Sequence, residues 1–247
     1  MAAHRGRVTE AVGALAEADV RTAAADAPYM AALVHQWAQE ARLLLGDVLG
    51  AKRAGDQLAS VTEATGQAES ESRAHALMAE TLGRLGQREA AMAAARSALA
   101  AADESRAQGD QVRALRVIAW LMAESGDRVG ARRLAETACG LARRLAAAYQ
   151  VALLEGLLAE LNRREAPDTA HGHWTAMRAI AEEMNCPPLM AQALAGLGQV
   201  EPARALLDGL LEGVDSTNRQ HFLSFPERRR LQRSPGTGPL NAPEAGL

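Results

Sequence analysis

The chain has 247 residues, of which 48% are hydrophobic but only 3% aromatic, and its formal net charge is −3. Such a charge gives no overall field that would attract nucleic acid or an acidic membrane surface. The one lysine, Lys52, has neither the Gly-Lys-Ser/Thr context of a phosphate-binding loop nor the Val-Ala-Ile-Lys context of a kinase. We therefore expect no nucleotide- or lysine-dependent chemistry.

The composition also favours one fold class. Alanine supplies much of the hydrophobic content, whereas the Val, Ile, Thr and aromatic residues that a sheet would need are scarce. We therefore predict an all-α protein. The N-terminus lacks the continuous apolar run of a signal peptide, and no stretch of 18 apolar residues exists, so we expect no membrane span and a cytoplasmic location.

The first quarter of the chain is predicted to contain three helices. Residues 1–27 form an N-terminal region with one amphipathic helix, Gly6–Ala24. The second helix, Pro28–Leu45, begins at a proline, which suits the first turn of a helix. The third, Ala51–Thr65, matches the later repeat poorly, and the polar stretch Gln67–Ser72 is predicted to be a loop.

The stretch Ser72–Ala147 contains two tandem copies of one predicted helix pair. Gly86 and Gly126 each end a helix, and alanines recur at equal distances on both sides of them. These alanines are Ala79, Ala91 and Ala98 in the first copy, and Ala119, Ala131 and Ala138 in the second. The repeat period, from Gly86 to Gly126, is about 40 residues, and periods of 20–50 residues are typical of stacked helical repeats.

Two further pairs follow, which makes about four pairs with a recognisable pattern. Together with the degenerate pair formed by the second and third helices, they extend the predicted array over residues 28–215. The third pair begins near Tyr149, and the fourth carries Gly198 where the clear copies carry their glycine. Residues 216–233 are predicted to form a helix that caps the open end of the array, because a terminal repeat otherwise leaves an apolar face in water. Residues 234–247, rich in proline and glycine, are predicted to be disordered.

The repeated residues resemble the tetratricopeptide repeat family, in which a helix with small residues, a glycine turn and a second helix with alanines recur. The match rests on the glycines and alanines of the two copies and on Ala191, Gly198, Ala203 and Leu210. The resemblance implies a right-handed α-solenoid of antiparallel helix pairs. The alanine- and arginine-rich sequence also looks like the helical arrays of large bacterial signalling regulators.

In this family the first helix of each pair lines a concave groove that holds a peptide or a helix of a partner. Transferred by position, the groove residues are Arg73, Glu80, Arg113, Arg116, Trp120, Glu155, Asn162 and Gln192. Arg113, Arg116 and Trp120 form the best cluster, because residues three and four apart share a helix face and both residue types are enriched in interfaces. The alternative is that Trp120 packs inside and the arginines are solvated.

Other motifs carry weaker signals. His171 and His173 would point about 200° apart on a helix, so they are not expected to chelate a metal together. Neither Cys186, next to two prolines, nor Cys139 has an identifiable activating base. The run Arg228-Arg229-Arg230 is interpreted as a solvated face rather than a nucleic-acid contact. We therefore expect no catalytic residue, metal or cofactor.

These observations predict a non-enzymatic protein–protein interaction module, with a protein or peptide partner, in bacterial signalling or transcriptional regulation. The competing hypothesis is a ligand-sensing regulatory domain, in which a small molecule or peptide stiffens the array and changes what it contacts.

Overall fold

The computed structural model describes residues 2–23, 28–65, 68–225, 228 and 231. Within these residues the chain folds into twelve α-helices and no strand, which confirms the all-α prediction. The helices are α1 (Val8–Ala23), α2 (Pro28–Leu45), α3 (Val48–Thr65), α4 (Ala68–Arg84), α5 (Arg88–Ser105), α6 (Gln108–Glu124), α7 (Arg128–Arg144), α8 (Ala148–Asn162), α9 (Pro167–Glu183), α10 (Pro187–Gly196), α11 (Val200–Leu210) and α12 (Ser216–Phe222).

Most helix bounds agree with the sequence pattern, but the predicted loop Gln67–Ser72 is wrong. Helix α4 already begins at Ala68, so Ser72 is helical and buried. Its hydroxyl donates a hydrogen bond of 2.9 Å to the carbonyl of Ala98 on α5. The polar residue Ser72 is therefore compatible with a buried helix interface, because its hydroxyl has a hydrogen-bond acceptor there.

The C-terminal predictions are only partly covered by the structure. The region predicted as a cap, residues 216–233, contains the short helix α12, and Phe222 and Leu231 pack against α11. The tail predicted to be disordered, residues 234–247, lies outside the described residues.

The helices pack in consecutive antiparallel pairs, in a solenoid-like arrangement. Small side chains make this packing possible, since the six alanines of the two sequence copies are all 0% exposed. The first helices of successive pairs, α2, α4, α6, α8 and α10, also pack against one another, whereas contacts between successive second helices are weaker. The stack is therefore tighter on the side of the first helices, and we call that side its inner face.

Glycine turns within the pairs set the register of the repeat. Gly46, Gly86, Gly126 and Gly198 have positive φ values of 81°, 77°, 94° and 76°, which glycine adopts without the steric cost of a Cβ atom. Gly46 stands one repeat period before Gly86, so the pair α2–α3 is in register with the two clear copies. The repeat thus extends one pair further upstream than its alanine pattern indicates.

An aspartate caps the second helix in two of these pairs. The carboxylates of Asp47 and Asp127 accept hydrogen bonds of 2.8 Å from the backbone amides of Gly50 and Gly130. Gln87 occupies the equivalent position before α5, with nearly the same backbone angles as Asp127, but its side chain makes no capping bond.

This difference gives a stabilising substitution. We expect Gln87→Asp to raise the free energy of unfolding by about 0.5–1 kcal/mol, because aspartate satisfies an amide at the start of α5. Urea unfolding followed by circular dichroism measures the effect. Gln87→Ala is the matched control and should not stabilise the protein. A gain with alanine equal to that with aspartate would contradict the capping argument.

No helix in the described part of the chain combines the length and the apolar character needed to cross a lipid bilayer.

Candidate partner-binding wall

We call the inner face of α2, α4, α6 and α8 the inner wall, where charged side chains of α2, α4 and α6 meet the amide side chain of Gln150 on α8. Glu80 on α4 accepts hydrogen bonds from Arg116 on α6 at 2.9 Å and from Arg84 at 3.2 Å. Arg116 also donates to the side-chain oxygen of Gln150 on α8 at 3.0 Å. The wall is therefore joined across neighbouring helices by charge-assisted hydrogen bonds.

A second ion pair extends this network to α2. Arg113 donates to Glu40 at 2.9 Å, and these two side chains are only 13% and 22% exposed. Arg116 is 11% exposed. The alternative that these arginines are solvated is therefore wrong, because both are largely buried and held by carboxylates.

The electrostatics of the wall follow from this pairing. Burial alone would raise the pKa of Glu80, but the charges of Arg116 and Arg84 and the hydrogen bond from Arg116 outweigh burial and lower the pKa to about 2. Burial would likewise lower the pKa of Arg113, yet attraction to Glu40 and Glu80 raises it. Both groups are therefore charged at neutral pH.

Trp120 lies between α4 and α6, packed on a glycine. A Cβ atom at Gly83 would come within 2.6 Å of the indole Cζ3 atom, so the missing side chain leaves the space that the ring fills. The guanidinium of Arg84 lies 5.7 Å from the centre of the same ring. Trp120 thus packs against α4 at Gly83 and also lies beside the guanidinium of Arg84.

The C-terminal segment, described at residues 222–225, 228 and 231, lies across the wall. Its Phe225 is 4% exposed, and the guanidinium of Arg84 lies 4.2 Å from the centre of the Phe225 ring. Arg228 stacks on the rings of Phe222 and Phe225 at 4.1 and 4.3 Å. It also donates hydrogen bonds to the carbonyl of Leu44 at the end of α2 and to that of Phe222.

The N-terminal turn, residues 2–6, lies over the region where α8 and α10 begin. The ring of His4 meets the ring of Tyr149 edge to face, with 4.7 Å between centroids. The thiol of Cys186 donates a hydrogen bond of 3.0 Å to the carbonyl of His4. Burial lowers the pKa of His4, despite attraction to Glu40. Both end regions of the chain therefore fill part of the inner face of the array.

No protein-family model matches the chain, and no curated protein is significantly similar to it in sequence.

The eight residues implied by the family resemblance separate into two groups. Arg73, Glu80, Arg113, Arg116 and Trp120 lie on the adjacent helices α4 and α6, where Arg73 pairs with Asp110 at 3.0 Å. The other three residues, all on α8 or α10, are not part of this cluster.

Glu155 is the most buried of those three, at 1% exposure. It bonds to second helices, accepting from Arg143 on α7 and contacting His173 on α9 at 2.7 Å. Asn162 donates to the carbonyl of Leu158 within its own helix, and Gln192 is partly buried on α10. Glu155 thus ties α8 to its neighbours rather than facing the inner wall.

Both cysteines are buried, and Arg228 stacks on Phe222 and Phe225, so its interpretation as part of a solvated face is wrong. Cys139 is 2% exposed, and burial together with the charge of Glu155 raises the pKa of its thiol to about 11. Burial also raises the pKa of the Cys186 thiol. Within the described ranges, no three His, Cys, Asp or Glu side chains are placed to hold a metal ion.

Sequence reasoning missed several residues of the wall. Glu40 stands one repeat period before Glu80, so the repeat itself could have found it. Phe222, Phe225 and Arg228 are three residues apart, a spacing that could have indicated one continuous face. No sequence pattern indicated Arg84, because its contact with Phe225 depends on where the C-terminal segment crosses the array.

Proposed function

We propose that the protein is a non-enzymatic interaction module whose inner wall binds a segment of a partner protein in place of its own C-terminal segment. The observation that carries this proposal is the position of Phe225, held between Arg84 of the wall and Arg228 of the segment itself. The resemblance to helical arrays of bacterial regulators favours a role in signalling or transcriptional control.

The contacts of the C-terminal segment indicate what kind of partner fits. On the wall, the guanidinium of Arg84 stacks on the ring of Phe225. The carbonyl of Leu44, at the end of α2, accepts a hydrogen bond from the guanidinium of Arg228. An acidic segment is a poorer fit, because Arg113 and Arg116 already pair with Glu40 and Glu80. A partner segment with two aromatic residues three apart, followed by an arginine, has the matching chemistry.

The chain's own segment must compete with such a partner. The C-terminal segment is tethered and therefore present at a high effective concentration. The apparent Kd for a free peptide equals the intrinsic Kd divided by the fraction of molecules in which the wall is open. Substitutions that weaken the segment should therefore strengthen partner binding.

A labelled peptide with the sequence of residues 219–233 tests this proposal in the full-length chain. We expect Phe225→Ala combined with Arg228→Ala to bind the peptide at least tenfold more tightly than the unsubstituted protein, because the wall is then open more often. Fluorescence anisotropy gives the Kd, and circular dichroism verifies that the variant keeps its helices.

Two matched controls make the result specific. A peptide in which Phe222 and Phe225 are both alanine should bind neither protein. Adding Arg84→Ala to the doubly substituted chain should weaken peptide binding about fivefold, since it removes the cation from the wall. Absence of peptide binding to the doubly substituted chain, or equal binding by both proteins, would overturn the proposal.

A further inference from the structure

Helix α2, in the first layer of the array, carries an exposed apolar face. Trp37 is 68% exposed, Tyr29 58% and Met30 54%, which is unusual for such large side chains. Met30 and Trp37 are seven residues apart, with Leu33 and Val34 between them, so these four residues share one side of the helix. Contiguous apolar surface of this kind marks an interaction site.

The residues at the equivalent positions of the next two pairs show which kind of surface this face contacts elsewhere in the array. Leu77 and Val117 follow Trp37 by one and two repeat periods, and they are only 1% and 0% exposed. Leu77 packs on Leu43 and Ala51 of the preceding pair, and Val117 packs against α4 and α5 in the same way. The equivalent position in α2 therefore belongs against another helical layer.

Helix α1 supplies that layer only in part. Its first half packs on the end of α2, where Ala11 and Leu15 belong to the same cluster as Leu45. Residues 16–21 of α1 are largely exposed, although Asp19 pairs with Arg42 at 2.5 Å. Helix α1 consequently leaves Tyr29, Met30 and Trp37 of α2 exposed.

The opposite end of the array is already covered. Ala203, Leu207 and Leu211, from α11 and its end, pack against Val8 and Phe222. A second copy therefore has no free face there on which Trp37 could stack head to tail. The same face of its own α2 offers such a copy a matching apolar surface, and pairing through it is an isologous contact.

The composition of the face suits this symmetric pairing. Residues 28–39 contain no Asp, Glu, Lys or Arg, so two copies can meet without bringing like charges together. Tryptophan, tyrosine and methionine are enriched in interfaces. Trp37 and Tyr29 alone would remove on the order of 250 Å² per copy from water, about a third of a standard interface side.

We infer that the face formed by Tyr29, Met30, Leu33, Val34 and Trp37 pairs with the same face of a second copy across a twofold axis. Sedimentation velocity of the full-length protein between about 1 and 100 μM tests this inference. The expected result is a concentration-dependent shift from the 26.1 kDa chain toward a species of twice that mass.

Trp37→Glu should raise the dimer Kd at least about 30-fold, because it places two like charges in the interface. Val129→Glu is the matched control: Val129 is 59% exposed on α7, outside the α2 face, and the dimer should persist. In a second test, Val34→Cys should form a disulfide between two copies under mild oxidation, since Cys139 and Cys186 are both buried. A monomer at every concentration, or a dimer that survives Trp37→Glu, would overturn the inference.

Discussion

Replacing Gly46 with alanine should destabilise the protein by about 3 kcal/mol and free the C-terminal segment from the wall. Two separate effects combine at this turn. The backbone of Gly46 has a φ of +81°, which costs about 1–2 kcal/mol for a residue with a Cβ atom. The new Cβ atom would also lie 1.9 Å from the carbonyl oxygen of His221, so the chain on either side of Phe222 must move.

The repeat itself supplies the control for this substitution. Gly86 and Gly126 have the same left-handed conformation at equivalent positions, but a Cβ atom there would meet nothing within 4 Å. Gly86→Ala and Gly126→Ala should therefore cost only the backbone strain, about 1–2 kcal/mol. Urea unfolding measures all three variants, and anisotropy with the peptide of residues 219–233 should show tighter binding only for Gly46→Ala. Equal losses of stability in all three, with no gain in peptide binding, would contradict the contact between this turn and the C-terminal segment.

The second large effect concerns Glu80 and pH. Because the pKa of Glu80 is lowered from 4.5 to about 2 in the folded protein, its contribution to stability is fully present above pH 4.5. That contribution is lost as the pH falls from 4.5 toward 2, since the unfolded chain then binds a proton that the folded chain does not. The shift corresponds to about 3 kcal/mol, as an order of magnitude for a buried pair.

Substitution separates Glu80 from the other carboxylates. We expect Glu80→Gln to lower the free energy of unfolding by about 3 kcal/mol at pH 7, because Arg84 and Arg116 lose the carboxylate that they share. Near pH 2 the variant and the unsubstituted protein should have nearly equal stability. Glu182→Gln is the control, since Glu182 is 49% exposed in its pair with Arg178 and should change stability by less than about 0.5 kcal/mol. Parallel loss of stability by both proteins as the pH falls would rule out this role.

The sequence allowed the helical layers to be predicted because their determinants are local. Ala79 and Ala119 are small, buried residues at the points where helices cross. Gly86 and Gly126 end their helices in a left-handed conformation that favours glycine. Gly46 obeys the same rule, but the alanine pattern around it is weak, so the first pair was harder to place. Ser72 was predicted in a loop because its tertiary partner, a carbonyl on α5, leaves no trace in the local pattern.

The inner wall was harder to predict because its contacts are not local. The helix periodicity places Arg113, Arg116 and Trp120 on one side of α6, but it does not reveal that Glu40 and Glu80 hold the two arginines. Those pairs depend on how closely the first helices α2, α4 and α6 approach one another. The position of Phe225 depends further on the path of the chain after α12, which no repeat pattern encodes.

The crossing of both end regions over the inner wall has a consequence for how the protein unfolds. Cys186 bonds to His4, and Arg228 bonds to Leu44, across sequence separations of 182 and 184 residues. In an open stack, where each layer touches only its neighbours, the outermost layers can fray independently. Here hydrogen bonds join the first layers of the array to the last ones, so unfolding of one end also removes contacts that stabilise the other end. We expect one sharp cooperative transition and slow refolding, limited by the closure of these very long loops.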